Sequence, residues 1–245
     1  MRDTVTCSDT VPDAGPGAQP RYDATLGRVE TYFDTTATKT WERLTSDAPV
    51  SKIRETVRKG RDAMRELMLS RLPADLSGHR VLDAGCGAGQ MTQALAERGA
   101  EVLAIDISPS LMEIAKKRLS PDLRRQVTFA SGDMLSPALG HFDHVIAMDS
   151  LIYYDAQDIG TAIANLEQRT RSTIVFTIAP RTRALMAMWY AGKLFPRSDR
   201  SPVMIPHAHR HLAKTARAQG VRGVIRPVER ISSGFYKSEA LELCR

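Results

Sequence analysis

Five short apolar runs punctuate the middle of the chain: "VLDAG" (81–85), "AEVLAIDIS" (100–108), "QVTFASGDM" (126–134), "FDHVIAMDS" (142–150) and "STIVFTIAP" (172–180). Near-continuous aliphatic and β-branched residues over so few positions describe strands buried on both faces. Three of the runs lead into stretches of helical periodicity, which predict helices over 90–98, 109–119 and 155–168. The second opens on Pro109, whose fixed φ suits a first helical turn. Strands alternating with helices of this length predict a parallel, doubly wound α/β sheet. The segment "VRGVIRPVERISSGFYKSEALELCR" (221–245) predicts two late strands, an antiparallel hairpin at the sheet edge that brings the total to seven.

Upstream of the sheet the period changes. Ile53, Val57, Gly60, Met64, Leu67 and Met68 recur at helical spacing, with Arg54, Arg58, Arg61 and Arg65 on other faces. Residues 21–72 therefore read as an N-terminal helical cap able to close over a ligand. Residues 1–20, rich in Pro, Gly, Ser, Asp and Thr, read as a disordered tail with no apolar core of a secretory leader. The remaining 21–245 form one domain. After the fifth strand comes "RTRALMAMWYAGKLFPRSDRSPVMIPHAHRH" (181–211), longer than a simple connection. Excursions at the carboxyl edge of a parallel sheet shape substrate pockets, so 181–205 reads as a substrate-side insertion.

Composition narrows the class. With 42% hydrophobic residues, 25% charged and no apolar run of about 18 residues, the chain is expected to be globular rather than membrane-spanning. Three scattered cysteines, Cys7, Cys86 and Cys244, do not make a disulfide framework and suit a reducing cytoplasm. Cys86, inside a glycine-rich turn, reads as a small filler. Net charge is +6, but residues 181–230 alone carry 11 Lys and Arg against 2 Asp and Glu, a local +9. Such a segment suits an anionic partner, whether nucleic acid, lipid or a ligand with several carboxylates; a solvated helix face would look the same.

The first strand ends in a glycine loop, Asp83-x-Gly85-x-Gly87-x-Gly89. A dinucleotide fingerprint needs its third glycine one residue later, where Gln90 stands. The spacing resembles instead the first motif of Rossmann-like S-adenosylmethionine-dependent methyltransferases. Acids near successive strand ends extend the likeness. Asp106, 23 residues after Asp83, is placed to accept ribose hydroxyls and disfavours a 2′-phosphate. Asp133 falls where these enzymes place an acid near the adenine amino group, and Asp149 lies beside the methyl-transfer centre. The expected cofactor set is Asp83, Gly85, Gly87, Gly89, Asp106 with Ile107, Asp133 with Met134, and Asp149. The stretch "MDSLIYYD" lacks the proline pair of base N-methyltransferases, and no Pro-Cys pair offers a nucleophile for cytosine, which argues against a nucleic-acid substrate. His207, His209 and His211 have no carboxylate nearby in sequence and read as a helix start, so no protein-bound metal is expected.

Several segments together resemble the magnesium protoporphyrin IX O-methyltransferases, most of all their bacteriochlorophyll branch. They are "VETYFDTTATKTWERLTSDAPVSKIRETVRKGR", "VLDAGCGAGQ", "DSLIYY", "LFPRSDRSP" and "RISSGFYKSEALEL". The resemblance runs from about Val29 to the end and implies methyl transfer from S-adenosylmethionine to a propionate of magnesium protoporphyrin IX, with the magnesium carried by the substrate. It implies catalytic roles at Tyr32 in "TYFD" and at position 153, where Tyr153 replaces the family's histidine in "LIHY", a departure that removes a natural general base. Substrate contacts are expected at Trp189, Arg197 and Arg200. The resemblance also implies links to the magnesium chelatase large subunit and to the photosynthetic membrane surface. Two alternatives stay open: methylation of another acceptor such as a quinone precursor, and a non-catalytic porphyrin carrier.

Overall fold

The computed structural model describes residues 20–37, 51–183, 185–187, 190 and 202–244. Its centre is one sheet built from β1 (Arg80–Ala84), β2 (Glu101–Asp106), β3 (Val127–Ser131), β4 (Phe142–Ala147), β5 (Thr170–Pro180), β7 (Val224–Ser233) and β8 (Tyr236–Cys244). The order is β3-β2-β1-β4-β5-β8-β7, with β3 to β5 parallel and β8 antiparallel to both neighbours. This is the doubly wound sheet with an antiparallel edge hairpin. One short element was not anticipated: β6 (Pro206–His207) pairs with the end of β5, Ala179 opposite Pro206.

Chain direction reverses its lateral progress between β1 and β4, and in such sheets the crevice opens at the carboxyl ends of those two strands. Helices cover both faces: α3 (Gln90–Glu97), α4 (Pro109–Arg118), α5 (Ala156–Arg169) and α6 (His209–Ala218), with α1 (Pro20–Thr31) and α2 (Lys52–Leu69) upstream. A single π-type turn, Tyr32–Ala37, extends α1. One core, on one face of the sheet, gathers Leu82, Ile105, Val145, Phe176, Ile159 and Leu212. The other packs Met64, Met68 and Leu95 against Val81, Val102 and Ile146. The alternation along β1 explains the split, since successive side chains point to opposite faces.

Within the expected cap, Pro20–Thr31 and Lys52–Leu69 are helical. Gly60, Met64 and Met68 face the core as anticipated, whereas Ile53 is exposed. Arg61 and Arg65, one turn apart on another face of α2, line the cleft described below. The histidine cluster is also redistributed. His207 lies in β6, buried, with Nε2 at 2.9 Å from the Tyr154 carbonyl oxygen, which can only accept; the helix begins at His209. Among the described residues no group of three or more His, Cys, Asp or Glu is arranged to hold a metal. The expected tail, 1–20, falls, except for Pro20, outside the described residues, as do 38–50 of the expected cap and 191–201 of the expected insertion.

Candidate active site

At the end of β1 the chain must turn sharply across β2, and two glycines make this possible. Gly85 has φ 83°, and a Cβ there would lie 2.4 Å from Ser150 Cβ; Gly89 has φ 84°, and its Cβ would meet Ala115 at 2.9 Å. The loop so compressed hangs on Asp106. Its Oδ2 accepts the Gly87 amide at 2.7 Å and its Oδ1 accepts the Ser108 amide at 2.9 Å. Burial pushes the Asp106 carboxyl above its ordinary value, against the lowering effect of these amides. Four acceptor sites on a carboxylate leave capacity for a ligand's hydroxyls after two amides are satisfied. Asp83, 1% exposed, accepts the Thr92 hydroxyl at 2.6 Å, and burial pushes its carboxyl up to about 7.

The expected third and fourth acids lie two residues past their strands, Asp133 beyond Ser131 and Asp149 beyond Ala147. Asp133 does not line the cleft. Its Oδ1 accepts the Tyr22 hydroxyl at 2.8 Å and the Leu135 amide at 2.9 Å, so it anchors α1; its neighbour Met134 does line the cleft. Asp149 lines the cleft with φ 56°, the single positive φ at a non-glycine residue among the described residues. Its backbone amide donates to Thr177 Oγ1 at 2.7 Å. Its carboxylate accepts Thr177 at 3.2 Å, Tyr236 at 3.1 and 3.2 Å, Ser238 at 3.4 Å and Arg61 at 2.5 Å. Strain of this kind persists only where the surroundings over-determine it, and here β5, β8 and α2 all hold one residue.

The cleft over the carboxyl ends spans about 1020 Å³ of empty space, open solvent included. Its base is Asp83, Gly85, Gly87, Asp106 and Ile107; the far wall is Asp149, Ser150 and Tyr153; Leu26, Val29 and Phe33 roof it from α1 and the π-type turn. Gly89 supports the loop without lining the cleft. Tyr32 does not line the cleft; it packs against the cluster of Val29, Phe33 and Leu111 that Tyr153 also joins. Burial, then the negative charge of Asp149, raises the Tyr153 phenol further above its ordinary value, so it stays a protonated hydrogen-bond donor. Asp34, from the same "TYFD" stretch, accepts the Ser108 hydroxyl at 2.5 Å and the Ser110 amide at 3.2 Å, which pins the roof to the start of α4. Trp189, Arg197 and Arg200 lie outside the described residues. The sequence reading missed Arg61 and Arg65 as cleft residues and Tyr236 as a holder of Asp149. Tyr236 sits in the distinctive "SSGFYKS", which carried a signal of specificity but none of role.

Comparison with known proteins bears on the site directly. A family model described as magnesium-protoporphyrin IX methyltransferase C-terminus matches residues 147–245, a span holding Asp149, Tyr153 and Tyr236. A second, described as methyltransferase domain, matches 81–172. The magnesium-protoporphyrin O-methyltransferase of Rhodobacter capsulatus is 59% identical over 222 residues, covering 90% of this chain and 97% of that one. The chain belongs to the magnesium-protoporphyrin O-methyltransferase family. Its fold agrees with a solved member of the family, the magnesium protoporphyrin IX methyltransferase of Synechocystis PCC 6803 with bound SAH, at a TM-score of 0.74 and 28% identity over 89% of this chain and 98% of that one. A ubiquinone biosynthesis O-methyltransferase of Xylella fastidiosa is 36% identical, but over only 50% of the chain. Likeness to the magnesium-protoporphyrin O-methyltransferases thus spans cap, loop and hairpin.

Proposed function

We infer that the protein transfers the methyl group of S-adenosylmethionine to a propionate carboxylate of magnesium protoporphyrin IX, giving the monomethyl ester, in the bacteriochlorophyll branch of the pathway. The observation that carries this is the 59% identity to the Rhodobacter capsulatus enzyme across nearly the whole of both chains. In this reading Asp106 receives the ribose hydroxyls, Ile107 and Met134 flank the adenine, and the Asp83–Gly89 loop lies along the methionine end. The propionate has a pKa near that of Glu, about 4.3, so at neutral pH it is already the attacking anion. No base is needed. Joining an anion to a sulfonium cation consumes charge on the way to the transition state, so alignment in a water-poor cleft is the larger contribution. Tyr153 and, from the turn that extends α1, Tyr32 supply that alignment by donating to the carboxylate. A tyrosine at 153 in place of histidine fits this division of labour.

Two further parts of the reading come from the resemblance: delivery of substrate by the magnesium chelatase large subunit, and contact with the photosynthetic membrane from the cytoplasmic side. Among the described residues no helix is long and apolar enough to cross a membrane. Exposed Ile53 and Phe235 flank the contact of Thr56 with Ser233 and Gly234 and offer an apolar tip for such contact. The deciding experiment is an assay of purified protein with magnesium protoporphyrin IX and labelled methyl donor. Labelled monomethyl ester is the expected product. Labelling of a quinone precursor alone, or porphyrin binding without turnover, would reject the assignment.

A further inference from the structure

The cleft is lined by three acids, Asp83, Asp106 and Asp149, and among the described residues by two cations, Arg61 and Arg65. Both cations come from one face of α2, four residues apart, and both side chains are largely covered, 17% and 20% exposed. A guanidinium held in a cleft of this kind is poorly hydrated and presents a fork that matches a carboxylate. Arg65 is paired at 2.8 Å with Asp62 on its own helix, whose side chain is 40% exposed, so this pair sits toward solvent. Arg61 reaches inward to Asp149 at 2.5 Å.

The support given to Asp149 is more than one arginine requires. Three hydroxyls, from Thr177, Tyr236 and Ser238, already donate to its carboxylate, at 3.1 to 3.4 Å. If Arg61 turned away, that buried charge would keep three hydrogen-bond donors and escape the full penalty of an unpaired buried ion. Asp149 therefore holds Arg61 in the cleft without depending on it.

We propose that Arg61, with Arg65 at the rim, forms a carboxylate-binding subsite of the cleft, with Asp149 as its internal stand-in. The proposal rests on the methyl-donor reading above, in which two ligands carry carboxylates: the amino-acid end of the cofactor, and the porphyrin's propionates. Ser150 and Gly85 border the subsite on the loop side and Tyr153 on the acceptor side, so both sources are within the same wall.

Each ligand has a partner that lacks the carboxylate, and the comparison isolates that group. Binding of S-adenosylhomocysteine and of its decarboxylated analogue, 5′-(3-aminopropylthio)-5′-deoxyadenosine, is measured by calorimetry for wild type and Arg61→Gln. Binding of magnesium protoporphyrin IX and of its dimethyl ester is measured by fluorescence on the same proteins. Arg61→Gln is expected to weaken one carboxylate ligand by about ten- to a hundredfold, the range for a hydrogen bond to a charged group, and to leave its partner without the carboxylate unchanged. Selectivity in the first pair assigns the cofactor; selectivity in the second assigns the propionate. Arg61→Lys, which keeps the charge and the fold but not the fork, should show the same selectivity at smaller size, and it carries the comparison if the glutamine variant does not fold. Unchanged binding of both acids, or equal weakening of each acid and its partner without the carboxylate, overturns the proposal. The cofactor pair needs no turnover. Failure of porphyrin methylation alongside selective S-adenosylhomocysteine binding would therefore count against the methyl acceptor and not against the subsite.

Discussion

Asp106 has two tasks at once, anchoring the amide of Gly87 and, in the proposed mechanism, accepting ribose hydroxyls. Asp106→Ala should therefore weaken S-adenosylhomocysteine binding by about 1.5–3 kcal/mol, the range for a charged hydrogen bond. Calorimetry that finds unchanged affinity in a folded variant would remove it from the cofactor site. Tyr153 gives a kinetic test. Tyr153→Phe should lower the catalytic rate about ten- to a hundredfold without abolishing it. The wild-type rate should show no ionisation near pH 6.5, the mark of a histidine base. Full activity of the variant, or a steep fall of the wild-type rate below that pH at saturation, would end the positioning role. Asp83 bears on stability. Its folded value of about 7 lies above the ordinary carboxyl value of 3.8, so its contribution is fully present below pH 3.8 and is lost as pH rises through 7. Ligand-free Asp83→Asn should accordingly gain in melting temperature over wild type at pH 8 and lose most of that advantage at pH 5. The glycine loop and its acids could be read from sequence because their chemistry is local. The partners of Asp149 could not: they stand 28, 87, 88 and 89 residues away, on three elements, and no spacing rule joins them.

The first helix and the turn that extends it are fastened by few but specific contacts. Tyr22 stacks on Tyr154 at 5.0 Å and donates to Asp133; Arg21 pairs with Asp155; Asp34 accepts from Ser108. A roof held by polar anchors at its ends, over a cleft that must admit a flat macrocycle, suits opening and closing. Amide exchange in 20–37 and 51–65 should slow on adding S-adenosylhomocysteine, and equal exchange with and without it would count against a lid. The helix α2 is tied to the hairpin more rigidly. A Cβ on Gly60 would lie 2.5–2.9 Å from Tyr236, so Gly60→Ala sets a gain of helix propensity of about 1 kcal/mol against overpacking of about 1–3 kcal/mol. Denaturant titration should show net destabilisation. Helical spacing foretold that Gly60 faced inward, but not what filled the space beside it. That neighbour lies at the start of β8, and its approach depends on how the sheet closes.

For the molecule as a whole, the alternation of strand and helix was enough to give the parallel sheet, its antiparallel edge and the position of the cleft. The two-residue β6 was not legible, because it is defined only by its register against the end of β5. The sheet places one titratable pair far from the cleft, at the amino end of β1, where His79 Nδ1 meets His144 Nε2 at 3.1 Å with the rings stacked. Burial, then the neighbouring His79, lowers His144 below its ordinary 6.5. Its contribution to stability is thus present above pH 6.5 and is lost as pH falls below it.

The pairing of β8 with β5 also governs how the protein must assemble. Within the β7–β8 hairpin, Ser233 opposes Tyr236 across a tight turn, contacts that a chain can make in microseconds. Docking that hairpin is a different event, since Ile174 must find Leu243 and close a long intervening loop before any contact rewards it. The same event delivers Tyr236 and Ser238 to Asp149. During refolding, helical signal should return first. Affinity for S-adenosylhomocysteine should return only with the slower phase, because until the hairpin seats, the residue at the heart of the cleft has no reason to hold its left-handed turn.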